Sequence, residues 1–295
     1  MTLPRCVLEG TTYLVTRRCI GRRFLLRPDA ELNRLFVYCL GRAADKYGIE
    51  VHALGVMSNH YHMVVTDVRR VLPDFMMSLN RSLAMCIKQL RDWDEVVWEP
   101  NASYSAVELG GPSEILDKVA YTLLNPVRAG LVRTPERWPG VLSTLEHLRR
   151  GTLTAERPRV WFKEKAPKRV TLRWIVPPGF RTKDDYLGAL QALVNGRLTD
   201  LRTALRRQGR SYLGSTQVRK TRVSDRPKTK KPRFGRNPTF SALTRKRWLD
   251  AMKRLRAFRR AYRAAYAAWC SGDRDTEFPL GTWWVVRHAG ATAVT

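Results

Sequence analysis

A chain of 295 residues in which 44% of side chains are hydrophobic is long enough to bury a core and still carry a second module. Its 54 Lys and Arg against 26 Asp and Glu leave a formal net charge of +28, which makes nucleic acid the favoured partner. The sequence holds no Gly-x-x-x-x-Gly-Lys phosphate loop, no Cys-x-x-Cys pair among Cys6, Cys19, Cys39, Cys86 and Cys270, and no apolar run long enough for a membrane span. These absences argue against P-loop nucleotide hydrolysis, a zinc ribbon, a disulfide framework and a membrane partner.

In chain order, Thr12 to Thr16 reads as a strand, and Asp29 to Tyr47 as a helix. Val51 to Met57 and His60 to Thr66 follow as two strands of a hairpin turning at Ser58-Asn59. Leu72 to Trp93 is expected to be helical, with Phe75, Met76, Leu79, Leu83, Cys86, Ile87 and Leu90 on its apolar side. A further strand is expected in Val96 to Trp98 or in Ser103 to Glu108. Ser113 is the expected N-cap of a helix that ends at Asn125, with Pro126 as its stop. On that helix Glu114, Lys118, Tyr121 and Asn125 form a polar stripe opposite Leu116, Val119 and Leu123. Strand, helix, hairpin, helix, strand, helix predicts an α+β, ferredoxin-like domain with a central antiparallel sheet.

The chemistry-bearing residues sit in two of these elements. His60 and His62 flank Tyr61 on a strand, so both imidazoles project from one face while Tyr61 and Met63 project from the other. Tyr121 and Asn125 are four apart on a helix and share a face. Together they would offer two nitrogen ligands, an amide-oxygen ligand and a phenol nucleophile. Each residue alone has an ordinary explanation, as a surface histidine, a half-buried tyrosine or a helix-terminal asparagine. Their combination, in this order and on these elements, is what points to a site.

His60-Tyr61-His62, followed by Tyr121-x-x-x-Asn125-Pro126-Val127-Arg128-Ala129-Gly130-Leu131, resembles the single-tyrosine HUH transposases of the IS200 type, and more closely their REP-associated tyrosine transposase branch. The resemblance runs from Thr12-Tyr13-Leu14-Val15-Thr16-Arg17-Arg18 to about Trp138-Pro139, where Gly140-Val141-Leu142-Ser143-Thr144 departs from the family's Ser-Tyr pair. It implies that His60, His62 and Asn125 hold a divalent metal, Mg²⁺ or Mn²⁺, on the scissile phosphate of single-stranded DNA, and that Tyr121 attacks to form a 5′-phosphotyrosine. It also implies a hairpin next to the cleavage site, and either a monomer or a homodimer.

The residue types suit that reaction. A free phenol has a pKa of about 10 and is almost wholly protonated at pH 7, so a nucleophilic Tyr121 needs activation. A divalent cation would polarise the phosphate, and a covalent phosphotyrosine keeps the bond energy for rejoining. Lys118, Arg128, Arg17 and Arg18 are the candidate phosphate contacts near the site. Two other readings remain: a non-mobile HUH nickase acting on repeated palindromes, and a non-catalytic nucleic-acid-binding protein.

Charge divides the chain. Residues 1–150 carry 20 basic and 16 acidic side chains, and residues 151–295 carry 34 and 10. Arg202 to Arg260 alone holds 21 Lys and Arg against Asp225 and Asp250. The expected organisation is a catalytic domain at 1–148, a linker at 149–170 and a basic, mainly helical, partly disordered DNA-binding extension at 171–295. Within it, Thr182-Lys183-Asp184-Asp185 is read as the cap of a helix to about Arg207, and Arg219 to Arg236 as irregular. A second long helix is expected from about Ser241 to Trp269, with Trp248, Met252, Leu255, Tyr262, Tyr266 and Trp269 as a packing stripe. Trp283-Trp284 either docks on the body or stacks on bases. Arg5 and Glu9 interrupt any secretory hydrophobic segment, so a cytoplasmic, nucleoid-associated protein is expected.

Overall fold

A computed structural model describes residues 4–100, 103–229 and 238–294. The elements in order are β1 (Thr11–Arg18), α1 (Ala30–Tyr47), β2 (Ile49–Met57), β3 (His60–Asp67), α2 (Leu72–Arg91), β4 (Ser105–Leu109), α3 (Pro112–Arg128), α4 (Leu145–Arg150), β5 (Thr152–Glu156) and β6 (Arg169–Arg173). There follow α5 (Lys183–Arg207), α6 (Ser215–Lys220), β7 (Phe240–Ser241), α7 (Arg245–Cys270), β8 (Glu277–Phe278), α8 (Trp284–Ala289) and β9 (Thr292–Ala293).

One five-stranded sheet in the order β2-β3-β1-β4-β7 organises the fold, antiparallel throughout except where β7 pairs parallel with β4. The mixed α+β class with a central antiparallel sheet is as expected. Alternation along β3 sorts its two faces: Tyr61, Met63 and Val65 point into the layer of α1 and α2, while His60 and His62 point toward α3. Tyr61 is fully buried, packs edge-on against Phe36, and donates its hydroxyl to Asn80 Oδ1 at 2.7 Å. Burying a side chain of that size contributes roughly 1.5–3 kcal/mol, and the hydrogen bond removes the penalty its hydroxyl would otherwise carry.

Local signals place the helices. Asp29 caps α1 by accepting from Leu32 N–H at 2.9 Å and also pairs with the nearly buried Arg91 at 2.6 Å, tying the start of α1 to the end of α2. Gly48 closes α1 at φ 67°, a left-handed position that glycine adopts without strain, and so the chain turns directly into β2. The fully buried Asp67 accepts from Arg69, Val71 and Leu72 N–H groups and thereby holds the turn into α2.

Several expectations need correction. α3 begins at Pro112, with Gly111 rather than Ser113 at the cap, because proline is pre-set for the first helical position. Pro126 does not stop the helix, which continues to Arg128. Pro126 loses the bond to Thr122 C=O and crowds that carbonyl, but the helix has only two residues left to run and its buried face goes on through Val127. Gly55 of β2 lies against that carbonyl, with an added Cβ 3.1 Å from the oxygen. Of the two stretches offered for the strand after α2, the second holds it, as Ser105–Leu109, while Trp98 only bridges Cys19.

The second half is woven into the first. β5, inside the expected linker, pairs antiparallel with β6, and both lie against α1. Leu172, Trp174, Tyr186, Leu187, Leu190 and Val194 belong to the same core as the sheet. α5 has the cap expected of it, with Thr182 accepting from Asp185 N–H at 3.0 Å, and it packs on α3. In α7, capped by Thr244, the expected stripe is split: Trp248 is 48% exposed, whereas Tyr262, Tyr266 and Trp269 pack with Phe278 in a small separate cluster. Of the chain expected to be irregular from Arg219 to Arg236, Arg219 and Lys220 instead close α6, residues 221–229 hold no helix or strand, as expected, and the rest lies outside the described residues. No helix among the described residues is long and apolar enough to cross a membrane.

Candidate active site

β3 lies between β2 and β1, and the register sets each histidine beside defined neighbours. His62 stands opposite Thr16 and Gly55, and His60 opposite Arg18 and Met57. The two imidazoles meet edge-on with centroids 4.7 Å apart. His60 Nδ1 is bonded to Asn59 Oδ1 at 2.6 Å, and His62 Nδ1 to Thr16 Oγ1 at 2.7 Å. An amide oxygen can only accept, so Asn59 fixes the proton of His60 on Nδ1 and leaves a lone pair on Nε2. Neither Nε2 has a hydrogen-bond partner among the described residues.

Burial sets the charge of both rings. Desolvation, with Arg18 and Arg22 nearby, lowers the His60 pKa to about 4. Desolvation, His60 and Arg18 push that of His62 well below its ordinary value. Both are therefore neutral near pH 7, the form that ligates metals.

The packing of α3 on the β2–β3 hairpin brings Tyr121 to this pair. Its ring lies 5.4 Å from that of His62, centroid to centroid, and the Arg128 guanidinium sits 5.6 Å from the Tyr121 ring centre. A cleft of about 240 Å³ opens beside Tyr121 and His62, with Thr16, Arg18, Glu99 and Lys118 also in its wall. Lys118 pairs with Asp117 at 2.8 Å. Burial works against the charge of Asp117, yet the bonds from Lys118 and Arg197 hold its carboxyl below the usual range.

Of the candidate phosphate contacts, Lys118 and Arg18 line the cleft and Arg128 stands over Tyr121. Arg17 does not join them: it shares the face of Tyr61, 5.9 Å from the Trp98 ring centre. Asn125 lies one turn beyond Tyr121, only 7% exposed, with no hydrogen bond to its side-chain amide among the described residues. Among those residues no three or more His, Cys, Asp or Glu side chains come together as a metal cluster. Two neutral imidazoles whose Nε2 atoms have no partner among the described residues, and the Asn125 amide, are the donor types that would suit a divalent ion, although only His62 of the three lines the cleft.

Thr16 and Glu99 are the members that sequence reasoning missed. Thr16 was recognisable only once the β1–β3 register was known. Glu99 lies in irregular chain between α2 and β4, where no periodic signal marks it.

No protein-family model matches the chain, and no curated protein matches it. Among solved structures, a REP-associated tyrosine transposase bound to a REP hairpin is similar with a TM-score of 0.43 and 17% identity, over 51% of this chain and 87% of that one. A putative transposase from Deinococcus radiodurans R1 is similar with a TM-score of 0.29 and 23% identity, over 36% of this chain and 85% of that one.

Proposed function

We propose that the chain is a metal-dependent DNA transposase of the HUH tyrosine type, which cuts single-stranded DNA beside a hairpin and rejoins it through a 5′-phosphotyrosine. The observation that carries this reading is the approach of Tyr121 to His62, 5.4 Å between ring centroids, in a cleft lined by cationic side chains. A tyrosine packed there for structure alone would not need two neutral histidines with open Nε2 atoms beside it.

Tyr121 Oη attacks the scissile phosphorus. The Oη–P bond forms as the P–O3′ bond breaks, the phenolic proton is lost, and the departing 3′-oxygen takes up a proton. The diester bond energy stays in the phosphotyrosine, so attack by a 3′-hydroxyl can reseal a strand without nucleotide hydrolysis. Arg18 and Lys118 oppose the charge of the phosphate oxygens, and Arg128 adds a cation beside the attacking ring. Held by His60, His62 and Asn125, Mg²⁺ or Mn²⁺ would supply Lewis-acid polarisation of the phosphate. Thr16 and Asn59 keep both imidazoles oriented for that task. The basic second half extends the DNA contact beyond the cleft.

End-labelled hairpin oligonucleotides with single-stranded flanks, incubated with Mg²⁺ or Mn²⁺, test the reading. Wild-type protein should give cleavage and a covalent 5′-linked adduct. Tyr121→Phe should give neither, while binding the same DNA within about threefold. Continued cutting by the Phe variant would overturn the mechanism.

A further inference from the structure

A second cavity, of about 380 Å³, lies round the β4 edge from the Tyr121 cleft. Its walls come from both halves of the chain: the segment before β1, the start of α2, β4 with its preceding residues, the approach to β7, and α7. The volume is in the range of small-molecule sites, and a mostly apolar lining carries a few polar and cationic groups, as such sites do. Tyr13, Tyr104, Phe240 and Phe258 surround it with aromatic rings, and Arg254 and Arg259 bring guanidinium groups from α7.

One cationic group in this wall has an atom without a partner among the described residues. Arg259 Nε is buried with no hydrogen-bond partner among the described residues, whereas the hydroxyl of Tyr104, 9% exposed, has the Arg5 guanidinium as its polar neighbour. Such an orphan costs free energy unless something polar meets it. Arg5 lies over the Tyr104 ring at 3.8 Å from its centre, and among the wall's acids Glu108 is already paired with Arg254 at 2.8 Å. The chemistry asks for a planar, aromatic ligand bearing a negative charge.

We propose that this cavity receives one unpaired nucleotide of the DNA strand held in the Tyr121 cleft. The two spaces share Ser103, Ser105 and Pro238 as wall, so a strand leaving the cleft can reach the cavity without crossing the protein body. The base stacks among the aromatic rings, its edge meets Tyr104 Oη, and its phosphate meets Arg259. Because α7 and the approach to β7 close the pocket, the second half takes part in choosing the strand as well as holding it. The proposal rests on the single-stranded DNA reading above.

The experiment walks a single abasic site through the unpaired nucleotides flanking the cleavage point and measures affinity at each position, with adduct formation scored in parallel. In wild-type protein one position should lose on the order of tenfold in affinity when its base is removed. Arg259→Gln and Tyr104→Phe, neither of which opens a large void, should each shrink that position-specific loss to within about threefold. A flat profile with normal adduct formation overturns the pocket and leaves the cleavage reading standing. No binding of single-stranded DNA and no adduct defeats both. Micromolar binding of free deoxynucleoside monophosphates with a flat abasic profile would show a free-nucleotide site and overturn the strand-bound assignment.

Discussion

His62 and Tyr121 meet edge-on, with ring centroids 5.4 Å apart and planes inclined at 72°, one from the sheet and the other from the helix that covers it. Strand register and the packing of α3 on the sheet fix this contact. The β1–β3 register puts Thr16 beside His62, and the close approach of α3 to β2 at Gly55 sets the depth of Tyr121.

Thr16→Val removes the hydroxyl bonded to His62 Nδ1 and leaves the shape nearly unchanged. Loss of such an orienting partner typically weakens a metal site by about 10- to 100-fold. Adduct formation at limiting Mn²⁺ should fall by roughly that factor and recover at high Mn²⁺. A loss that no metal concentration restores would count against metal ligation by His62.

Gly55→Ala would place a methyl group 3.1 Å from the Thr122 carbonyl oxygen, an atom of a helix backbone that cannot rotate away. We expect destabilisation of about 1–3 kcal/mol. For a chain of 295 residues that is a fall of roughly 2–5 °C in Tm. Adduct formation should fall as well, because the same displacement moves Tyr121 from His62. Thermal unfolding and adduct assays on one preparation check both parts.

His52 supplies a pH dependence independent of DNA. It is the bulged residue of β2, fully buried, bonded through Nδ1 to Ile175 O at 2.9 Å and through Nε2 to Thr66 Oγ1 at 2.7 Å. Desolvation outweighs the bond to Ile175 and lowers its pKa from 6.5 to about 4. Below pH 6.5 the unfolded chain therefore takes up a proton that the folded chain refuses. The stabilisation is full above that value and is lost as pH falls toward 4, at about 1.4 kcal/mol per pH unit for one group. Urea midpoints should drop between pH 7 and pH 5, and His52→Gln should make the drop shallower.

Glu114 and Arg247 join the two halves. The Glu114 side chain is fully buried, accepts from Leu243 N–H at 3.0 Å, and pairs with Arg247 at 2.6 Å. Burial disfavours its charge, but Leu243 N–H and the guanidinium outweigh that and hold its carboxyl below the ordinary 4.5. Its contribution is thus present above about pH 4.5 and disappears as pH falls through the lower folded value. Arg247→Met strands a buried carboxylate and should cost roughly 1–3 kcal/mol, read as earlier proteolysis near α7. Glu114→Gln in the same chain should recover part of it, and a purely additive cycle would deny the coupling.

The parts of the fold readable from the chain are those with local causes. The β2–β3 hairpin shows as two runs of alternating or continuous apolar residues about Ser58-Asn59, and α5 is announced by Thr182 three residues before Asp185. Pro126 misleads because the rule that proline ends a helix is local, whereas the burial of Val127 that carries α3 onward is tertiary. The boundary expected at 148 follows the end of the resemblance and a change in composition and charge, whereas the core residues Leu172 and Leu190 follow packing.

The sequence by itself determined which side chains could do chemistry and that His60 and His62 share a strand face, since a two-residue period needs no tertiary information. It also determined the strong excess of positive charge in the second half. Only the tertiary structure decided that Tyr121 lies against His62, that Arg17 turns away while Arg18 faces the cleft, and that Thr16 and Glu99 join the site. Those facts depend on strand register and on how α3 crosses the sheet. Both are set by buried surfaces far apart in the chain, and no local pattern encodes them.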